Sequence, residues 1–292
     1  ARFYIDNVLD ASPAYTTTFS VTNKYVGRLS HGGAFNYFDG KLDDVRIYSR
    51  VLSADEIKRL YNEGVSTKTN VMQTTKLTDG LIRLWSFDAK DMAVNTAYDR
   101  SGSGKNGTLT NGPVRTIGKI GQALTFDGVN DSVVSDSTVP ITGDFSIFAW
   151  VNHRAFATPN YWEHAIIAQD EGGGSQDKWM FSVYSQTAGT HFEYFNTAGG
   201  GSRELNGNTW TVKLGKWYHL GVTRSGNNFT FWRDGVADGT ATDATAISPT
   251  ITANVTLGFA ESNYFDGKLD DVRIYNRAIS PDEVKRLYNL GK

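Results

Sequence analysis

No cysteine occurs among the 292 residues of the chain. This absence excludes thiol nucleophiles, disulfide bonds, zinc–thiolate centres and iron–sulfur clusters, but it leaves the compartment open because extracellular bacterial proteins are often free of cysteine. An excess of one charge is lacking too, since 29 Lys and Arg stand against 31 Asp and Glu, for a net charge of −2. We therefore expect neither nucleic acid nor an anionic membrane surface as a partner.

Long hydrophobic runs are also lacking. No stretch approaches the ~18–20 apolar residues of a membrane-spanning helix, so we expect no membrane insertion. The start Ala1-Arg2-Phe3 has no initiator methionine and no signal peptide, which predicts that the chain begins inside a longer protein. Glycine is abundant, with 30 residues, and 13% of the chain is aromatic. This composition favours short β-strands joined by turns, and thus a secreted all-β protein.

The chain repeats part of itself. Thirteen residues from Asn36 to Tyr48 recur without change from Asn263 to Tyr275. The similarity continues to Gly64 in the first copy and to Gly291 in the second. A repeat of this length indicates a duplicated structural unit.

The repeat divides the chain into three segments. Residues 1–64 are predicted to be the C-terminal portion of a preceding repeat, residues 65–79 a Thr-rich linker, and residues 80–292 a complete domain. A fainter match of residues 3–8 to residues 231–236 supports this alignment. Half a sandwich exposes an apolar inner face and unpaired strand edges. We therefore expect residues 1–64 to be completed by something outside this numbering, or to dock on the complete domain.

Strand signals are many and helix signals few. Short aromatic or β-branched runs separated by Gly, Asn and Asp predict strands at residues 81–87, 145–151, 179–184, 191–195, 217–222 and 229–232. They follow one another without alternating helices, which predicts an all-β sandwich.

Each copy ends in a predicted short helix. Ser280 and Glu283 form a capping box around Pro281, and Gly291 ends the helix. The first copy has the same box at Ser53-Ala54-Asp55-Glu56, without proline.

The ordered motifs resemble the bacterial laminin G-like family of the concanavalin A-like lectin/glucanase superfamily. The motifs that carry the resemblance are Gly80-Leu81 with Trp85-Ser86-Phe87-Asp88, the loop from Tyr98 to Thr108, Ala123 to Asp131, Phe145 to Val151, Lys216-Trp217-Tyr218-His219, Trp232-Arg233-Asp234-Gly235, and Phe265 to Tyr275. The resemblance covers residues 80–291 and the partial copy at residues 1–64. It implies a jelly roll of two curved antiparallel sheets, and a carbohydrate-binding, protein-binding or adhesion role in secreted multidomain proteins.

Calcium is the predicted cofactor. Asp99, Ser101 and Asn106 lie in a Gly-rich loop and offer the hard oxygen ligands that Ca²⁺ prefers. Strand alternation places Asp270 on the same face as Val272, which predicts an inward carboxylate that needs a cation or hydrogen-bond donors.

The family resemblance implies a structural calcium ion that joins the early loops to the last strand. Asp99 and Asp270 are then the leading candidate ligands, and Asp127 and Asp131 are the next candidates. The alternative is that Asp127, Asp131 and Asp270 are turn and edge residues whose carboxylates accept bonds from backbone N–H groups.

Aromatic side chains in polar segments are the predicted ligand-binding residues, because sugar rings stack on aromatic faces. These candidates are Tyr161, Trp162, His164 and Trp210. The alternative is that they cover the underside of a loop. Trp150, Trp217 and Trp232 lie in predicted strands and are expected in the core.

Catalytic patterns are absent from the sequence. Glucanases of this fold commonly carry a Glu-x-Asp-x-x-Glu strand, and neither Glu193 nor Glu163 has a second acid at that spacing. No zinc-binding histidine pattern or Gly-x-Ser-x-Gly elbow occurs either. We therefore expect the chain not to be an enzyme.

The leading prediction is a calcium-stabilised, non-catalytic recognition or adhesion module at the cell surface or outside the cell. Its partner would be a glycan or a cell-surface protein. The alternative is a structural repeat of a stalk, sheath or filament that binds neighbouring copies of itself, because matching repeats permit head-to-tail association. An enzyme ranks third.

Overall fold

The structure is a computed structural model. It describes residues 3–5, 8–11, 26, 28–31, 34–40, 42, 45, 47–48, 50–54, 56–57, 77–156, 165–172, 175–198 and 201–292. The chain divides into two compact units, an N-terminal unit of residues 1–74 and a C-terminal unit of residues 75–292.

Two antiparallel hairpins form the described strands of the N-terminal unit. One pairs β1 (Phe3–Ile5) with β2 (Val8–Ala11), and the other pairs β3 (Arg28–His31) with β4 (Ala34–Tyr37). The described residues from Phe38 to Tyr48 have no strand assignment.

The C-terminal unit is built from two antiparallel sheets. Sheet I runs in the order β15 (Gly201–Asn206), β14 (Thr190–Asn196), β13 (Lys178–Val183), β12 (Ala165–Asp170), β19 (Val255–Leu257), β10 (Ser132–Ser135), β7 (Gly107–Thr110) and β6 (Thr96–Ala97). Sheet II runs in the order β18 (Val236–Thr242), β17 (Asn228–Arg233), β16 (Tyr218–Ser225), β11 (Phe145–His153), β22 (Asp266–Tyr275), β9 (Gln122–Asp127) and β8 (Val114–Ile117). The strand β5 (Leu81–Trp85) also pairs with β22.

Shorter elements connect these strands. A 3₁₀ turn spans Ala89–Asp91, and a small hairpin joins β20 (Phe259–Ala260) to β21 (Asn263–Tyr264). The helix α1 (Pro281–Leu290) closes the chain.

The core lies between the two sheets. Alternate residues of the long strands enter it, as the period of two in a β-strand requires. Phe145, Ile147, Phe181 and Phe192 belong to this one cluster and are fully buried. Ring pairs such as Phe145 with Phe192, at 5.3 Å between centroids, join the two sheets.

The strand β22 is the central strand of sheet II. It pairs with β11 on one side, and with β5 and β9 on the other. Leu269 and Val272 both enter the core although only two residues separate them, because Asp271 forms a bulge with φ +48°.

Helix α1 packs against the outer face of sheet II. Val284 and Leu287 join Phe148, Trp232 and Tyr275 in a second apolar cluster. The predicted capping box is confirmed, since Ser280 accepts a bond from the Glu283 backbone and the Glu283 side chain accepts one from the Ser280 backbone.

The predicted fold class is confirmed, since the C-terminal unit is an all-β jelly-roll sandwich with one short C-terminal helix. All six runs that predicted strands fall on strands. Trp150 and Trp232 are buried as expected, whereas Trp217 is only half-buried, because it precedes β16 rather than lying within it.

Candidate functional site

The outer face of sheet I is polar on the adjacent strands β13, β14 and β15, which lie at one edge of the sheet. On β13, Trp179 and Phe181 enter the core, so Lys178, Met180 and Ser182 face outward. These three outward side chains are nevertheless buried. A charged group at a buried, outward position indicates a recess rather than a plain solvent-exposed surface.

Cross-strand pairing continues this polar face into β14 and β15. Met180 pairs with Glu193, and Glu193 pairs with Glu204. In the next row Lys178 pairs with Phe195, and Phe195 pairs with Ser202. Because paired residues of adjacent strands point to the same face, these side chains lie side by side.

These rows line a cleft of about 480 Å³. The cleft is bordered by residues from β13, β14 and β15, by a residue of the loop between β12 and β13, and by a residue of the turn between β20 and β21. The lining residues are Ser175, Lys178, Glu193, Phe195, Ser202, Glu204 and Glu261.

An ammonium group shared by two carboxylates forms the floor of the cleft. Lys178 Nζ lies 3.2 Å from Glu193 Oε1 and also contacts Glu261 Oε1. Burial by itself lowers the pKa of Lys178, but hydrogen bonding to Glu261 and the charge of Glu193 outweigh it and raise that pKa above its ordinary value. Lys178 is therefore positively charged at neutral pH.

The second carboxylate oxygen of Glu193 is unsatisfied. Glu193 is 2% exposed, and its Oε2 atom has no hydrogen-bond partner among the described residues. Burial raises the pKa of Glu193 above its usual value, against the opposing effect of Lys178. A buried acceptor without a donor costs about 1–3 kcal/mol, so a ligand that supplies an O–H or N–H donor would gain from it.

Beside the cleft, His191 extends the polar face of β14. It is fully buried, and its Nδ1 atom lies 3.3 Å from Ser182 Oγ. Burial, with a smaller effect of the Lys178 charge, lowers the pKa of His191 to about 4. This imidazole is therefore neutral at pH 7 and adds no positive charge to the face.

The aromatic residues predicted to bind ligand are not among the described residues that line the cleft. Tyr161, Trp162 and His164 lie outside the described residues. Trp210 is half-buried and packs against the core, with its ring 4.7 Å from that of Tyr218 and the Arg233 guanidinium 4.5 Å from its centre. Ligand binding by Trp210 stays a prediction, and its ring already has these two partners.

The first group of predicted calcium ligands forms a loop held by its own hydrogen bonds. Asp99 accepts bonds from the backbone N–H groups of Leu84, Ser101 and Lys105, and from the hydroxyls of Ser101 and Ser103. Despite burial, which raises it, these donors hold the pKa of Asp99 below its ordinary value. The Asn106 side chain accepts a bond from the Asp99 backbone, at 3.1 Å.

Asp127 and Asp131 form a second group in the turn after β9. The N–H groups of Val129 and Asn130 donate to Asp127, and the Asp127 N–H donates to Asp131. These contacts match the turn arrangement described above as the alternative to metal binding.

Asp270 stands apart and does not face the core. The bulge at Asp271 interrupts the alternation, so Asp270 lies on the opposite side of β22 from Leu269. It is completely buried, and its Oδ2 atom accepts bonds of 2.8 Å from the Lys119 and Ile120 backbones. Burial raises the pKa of Asp270 to about 7. The inward orientation expected from strict alternation is therefore wrong.

Across the part of the chain that the structure describes, no three His, Asp or Glu side chains lie close enough to hold one metal ion. The donors around Asp99 are N–H and O–H groups, which satisfy a carboxylate without a cation. Calcium therefore stays a prediction to be tested by measurement.

A laminin G family model, Laminin_G_3, described as the concanavalin A-like lectin/glucanases superfamily, matches residues 1–58 and 126–285. The chain belongs to this laminin G-like family. No curated protein matches this laminin G-like chain.

Solved structures share the fold of this laminin G-like chain. Domain 4 of AbnA, an extracellular GH43 arabinanase from Geobacillus stearothermophilus in complex with arabinotriose, has a TM-score of 0.57 and 20% identity, over 73% of this chain and 98% of that domain. The binding domain of Paraclostridial Mosquitocidal Protein 1 has a TM-score of 0.56 and 16% identity, over 73% of this chain and 52% of that one. The receptor-binding domain of the botulinum neurotoxin C/D mosaic serotype has a TM-score of 0.56 and 12% identity, over 73% and 51%. This chain thus spans about half of those toxin binding domains.

No helix among the described residues of the laminin G-like chain is long and apolar enough to cross a membrane.

The cleft residues of this laminin G-like chain were not among the sequence candidates. Their signal was nonetheless present, because Lys178 and Ser182 alternate with core residues of β13, and His191 and Glu193 alternate with core residues of β14. Polar or charged residues that alternate with core residues indicate a polar second face. Glu261 had no such signal, since only the folded chain brings the β20–β21 turn next to Lys178.

Proposed function

We propose that this chain is a non-catalytic carbohydrate-binding module, and that glycan binds in the cleft lined by Lys178, Glu193 and Glu204. The observation that carries the proposal is the unsatisfied, buried Glu193 oxygen beside a charged ammonium group in a cleft of about 480 Å³. Sugar hydroxyls both donate and accept hydrogen bonds, so they match a site with both kinds of group.

The remaining cleft residues supply what a sugar ring needs. Ser175 and Ser202 add hydroxyl groups, and Phe195 adds a half-buried aromatic ring. Recognition of carbohydrate is supported by the AbnA domain, which has a similar fold and was solved with arabinotriose. The toxin domains of similar fold are binding domains as well.

A non-catalytic role is supported by the pairing of the cleft carboxylates. Retaining glycosidases need one carboxyl group as acid and another as nucleophile, about 5–5.5 Å apart across the scissile bond. Here Glu193 and Glu261 both contact the Lys178 ammonium. Two carboxylates that share one ammonium group are ion-pair partners, and this arrangement differs from the separate acid and nucleophile of a retaining enzyme.

Isothermal titration with arabinotriose and a panel of neutral oligosaccharides tests this proposal. We expect Glu193→Gln to weaken the tightest interaction by roughly tenfold, because the Gln amide cannot accept at both oxygen positions. Asp282→Asn, on the exposed first turn of helix α1, is the matched control and should bind like the unaltered chain. The proposal fails if no glycan binds, or if Glu193→Gln binds as tightly as the control.

The setting proposed for this module is extracellular or on a cell surface, where a protein receptor is the other candidate partner. A structural repeat that associates with its own copies is the second candidate function, favoured by the thirteen identical residues in the two copies. Light scattering of the chain distinguishes the two, since a strict monomer would count against self-association.

Calcium stabilisation stays a separate prediction. A cation that binds only the folded chain raises its melting temperature by mass action, so EDTA would lower that temperature. An unchanged melting temperature, together with no metal by elemental analysis, would refute the prediction.

A further inference from the structure

The charges around the cleft are unequal. Lys178 contributes one positive charge, whereas Glu193, Glu204 and Glu261 contribute three negative charges when ionised. Asp170 pairs with Lys178 across β12 and β13, and its Oδ2 atom accepts a bond from the Glu261 backbone at 2.9 Å. A fourth carboxylate therefore lies beside the same cleft.

The one cation among the described lining residues is already engaged by protein groups. Lys178 has a side-chain exposure of 6% and contacts both Glu193 and Glu261. An anionic ligand that approached Lys178 would displace one of these carboxylates or lie beside it, and either arrangement leaves like charges together in a partly desolvated site.

The unsatisfied group in the cleft is an acceptor. Glu193 Oε2 needs a donor, and the exposed carboxylate of Glu204 on the neighbouring strand is a further acceptor. Hydroxyl groups of a neutral sugar can donate to both, whereas a carboxylate or sulfate group of a ligand has no proton to donate at neutral pH.

Resting on the proposed function, we propose that the cleft selects uncharged glycans and rejects glycans that carry carboxylate or sulfate groups. The selecting groups are the carboxylates of Glu193, Glu204 and Glu261. Glu204 is the specificity residue that can be tested most directly, because it is exposed and has no ion pair among the described residues.

Matched pairs of polysaccharides with and without charge provide the test. The pairs are polygalacturonate with its methyl ester, hyaluronate with its methyl ester, and carboxymethyl cellulose with hydroxyethyl cellulose. Affinity electrophoresis of the full chain gives the ratio of affinities within each pair. In every pair that binds, we expect the uncharged member to bind about tenfold or more tightly than the charged one.

Charge reversal at the cleft should reduce this discrimination. Glu204→Lys is expected to lower the affinity ratio by about tenfold and Glu204→Gln by about threefold, because each removes repulsion of an anionic ligand. Asp282→Lys changes the net charge equally but lies on helix α1, so its ratio should stay that of the unaltered chain. Melting temperatures of the variants confirm that each is folded.

The outcomes separate the two proposals. If a charged member binds as well as or better than its uncharged partner, the selectivity is refuted while carbohydrate binding stands. If Asp282→Lys changes the ratio as much as Glu204→Lys, the selection arises from net charge and not from the cleft. If no polysaccharide and no neutral oligosaccharide binds, the proposed function fails and the selectivity fails with it.

Discussion

Residues 36–48 and residues 263–275 have the same thirteen amino acids in the same order, but the residues that the structure describes in the first copy differ in structure from their counterparts in the second. In the second copy β22 begins at Asp266, and Leu269, Val272 and Ile274 are fully buried. In the first copy their counterparts Leu42, Val45 and Ile47 are 51%, 56% and 78% exposed, and none has a strand assignment.

The difference arises from distant neighbours. The strand β22 forms hydrogen bonds with β5, β9 and β11, which lie between residues 81 and 153. The described strands of the N-terminal unit are two hairpins, and neither includes any of the described residues between Phe38 and Tyr48. A strand is stable only where neighbouring strands bond to its backbone and cover its side chains, so the same residues behave differently in the two places.

Local contacts, by contrast, are the same in both copies. Arg50 binds Glu56 at 2.6 and 3.0 Å, and Arg277 binds Glu283 at 2.7 and 3.0 Å. The Ser53 hydroxyl accepts a hydrogen bond from the Glu56 backbone, as the Ser280 hydroxyl does from the Glu283 backbone. Bonds to Arg50 lower the pKa of Glu56 to about 2, and bonds to Arg277 lower that of Glu283 to about 2 although burial opposes them. Contacts that span six residues or fewer thus need no other part of the chain.

The largest expected effect comes from the same substitution at the two matching valines. Val272→Asp places a charge in the core and should destabilise the C-terminal unit by about 3–5 kcal/mol or unfold it. Val45→Asp places the same charge at a half-exposed position and should change the stability by less than ~0.5 kcal/mol. Differential scanning calorimetry measures the unfolding of both units, and the fluorescence of the seven tryptophans, which all lie in the C-terminal unit, reports on that unit separately.

The two variants test whether the two copies differ in burial. Equal losses of stability for the two substitutions would mean that residues 36–48 are as buried in solution as residues 263–275. The structural difference between the copies would then be refuted.

A smaller loss of stability is expected at acidic pH, and its source is His219, which contacts Tyr288 of helix α1. His219 is 1% exposed and lies against Phe148, Trp150 and Tyr288. Burial, with a smaller effect of the Arg273 charge, lowers the pKa of His219 to about 3. Between that value and the unfolded pKa of about 6.5, the unfolded chain binds more protons than the folded one, so stability falls as the pH is lowered below about 6.5.

The variant His219→Phe isolates this effect. Phe keeps an aromatic ring in the stack and does not titrate, so the pH dependence of the unfolding free energy between pH 6.5 and 4 should be shallower by a few kcal/mol in total. Urea unfolding followed by tryptophan fluorescence at a series of pH values measures it. Identical slopes for the variant and the unaltered chain would exclude His219 as the source.

The smallest expected effect is at the capping boxes. Glu283→Gln removes the ion pair with Arg277 and should lower the stability of the C-terminal unit by about 1 kcal/mol, because the helix that it caps covers sheet II. Glu56→Gln removes the equivalent pair and should leave the tryptophan-detected unfolding unchanged. A loss at Glu56 equal to that at Glu283 would contradict the independence of the two boxes.

The sequence predicted the strands, the terminal helix and its cap, because their signals are local: runs of alternating residues and a capping pair three residues apart. It did not predict the orientation of Asp270, since a one-residue bulge at Asp271 reverses the alternation. It also did not predict the cleft, because Lys178 and Glu261 are 83 residues apart and meet only through the pairing of sheet I and the β20–β21 turn.

The two copies show where the sequence by itself is sufficient. The Arg50–Glu56 and Arg277–Glu283 pairs form wherever their residues occur, because closing a loop of six residues costs little entropy. Residues 266–275 become a buried strand because β5, β9 and β11 bond to them, whereas the described counterparts Leu42, Val45 and Ile47 are exposed and have no strand assignment. Burial and cross-strand hydrogen bonds come from partners far away in the chain, so only the tertiary structure decided which copy became the centre of a sheet.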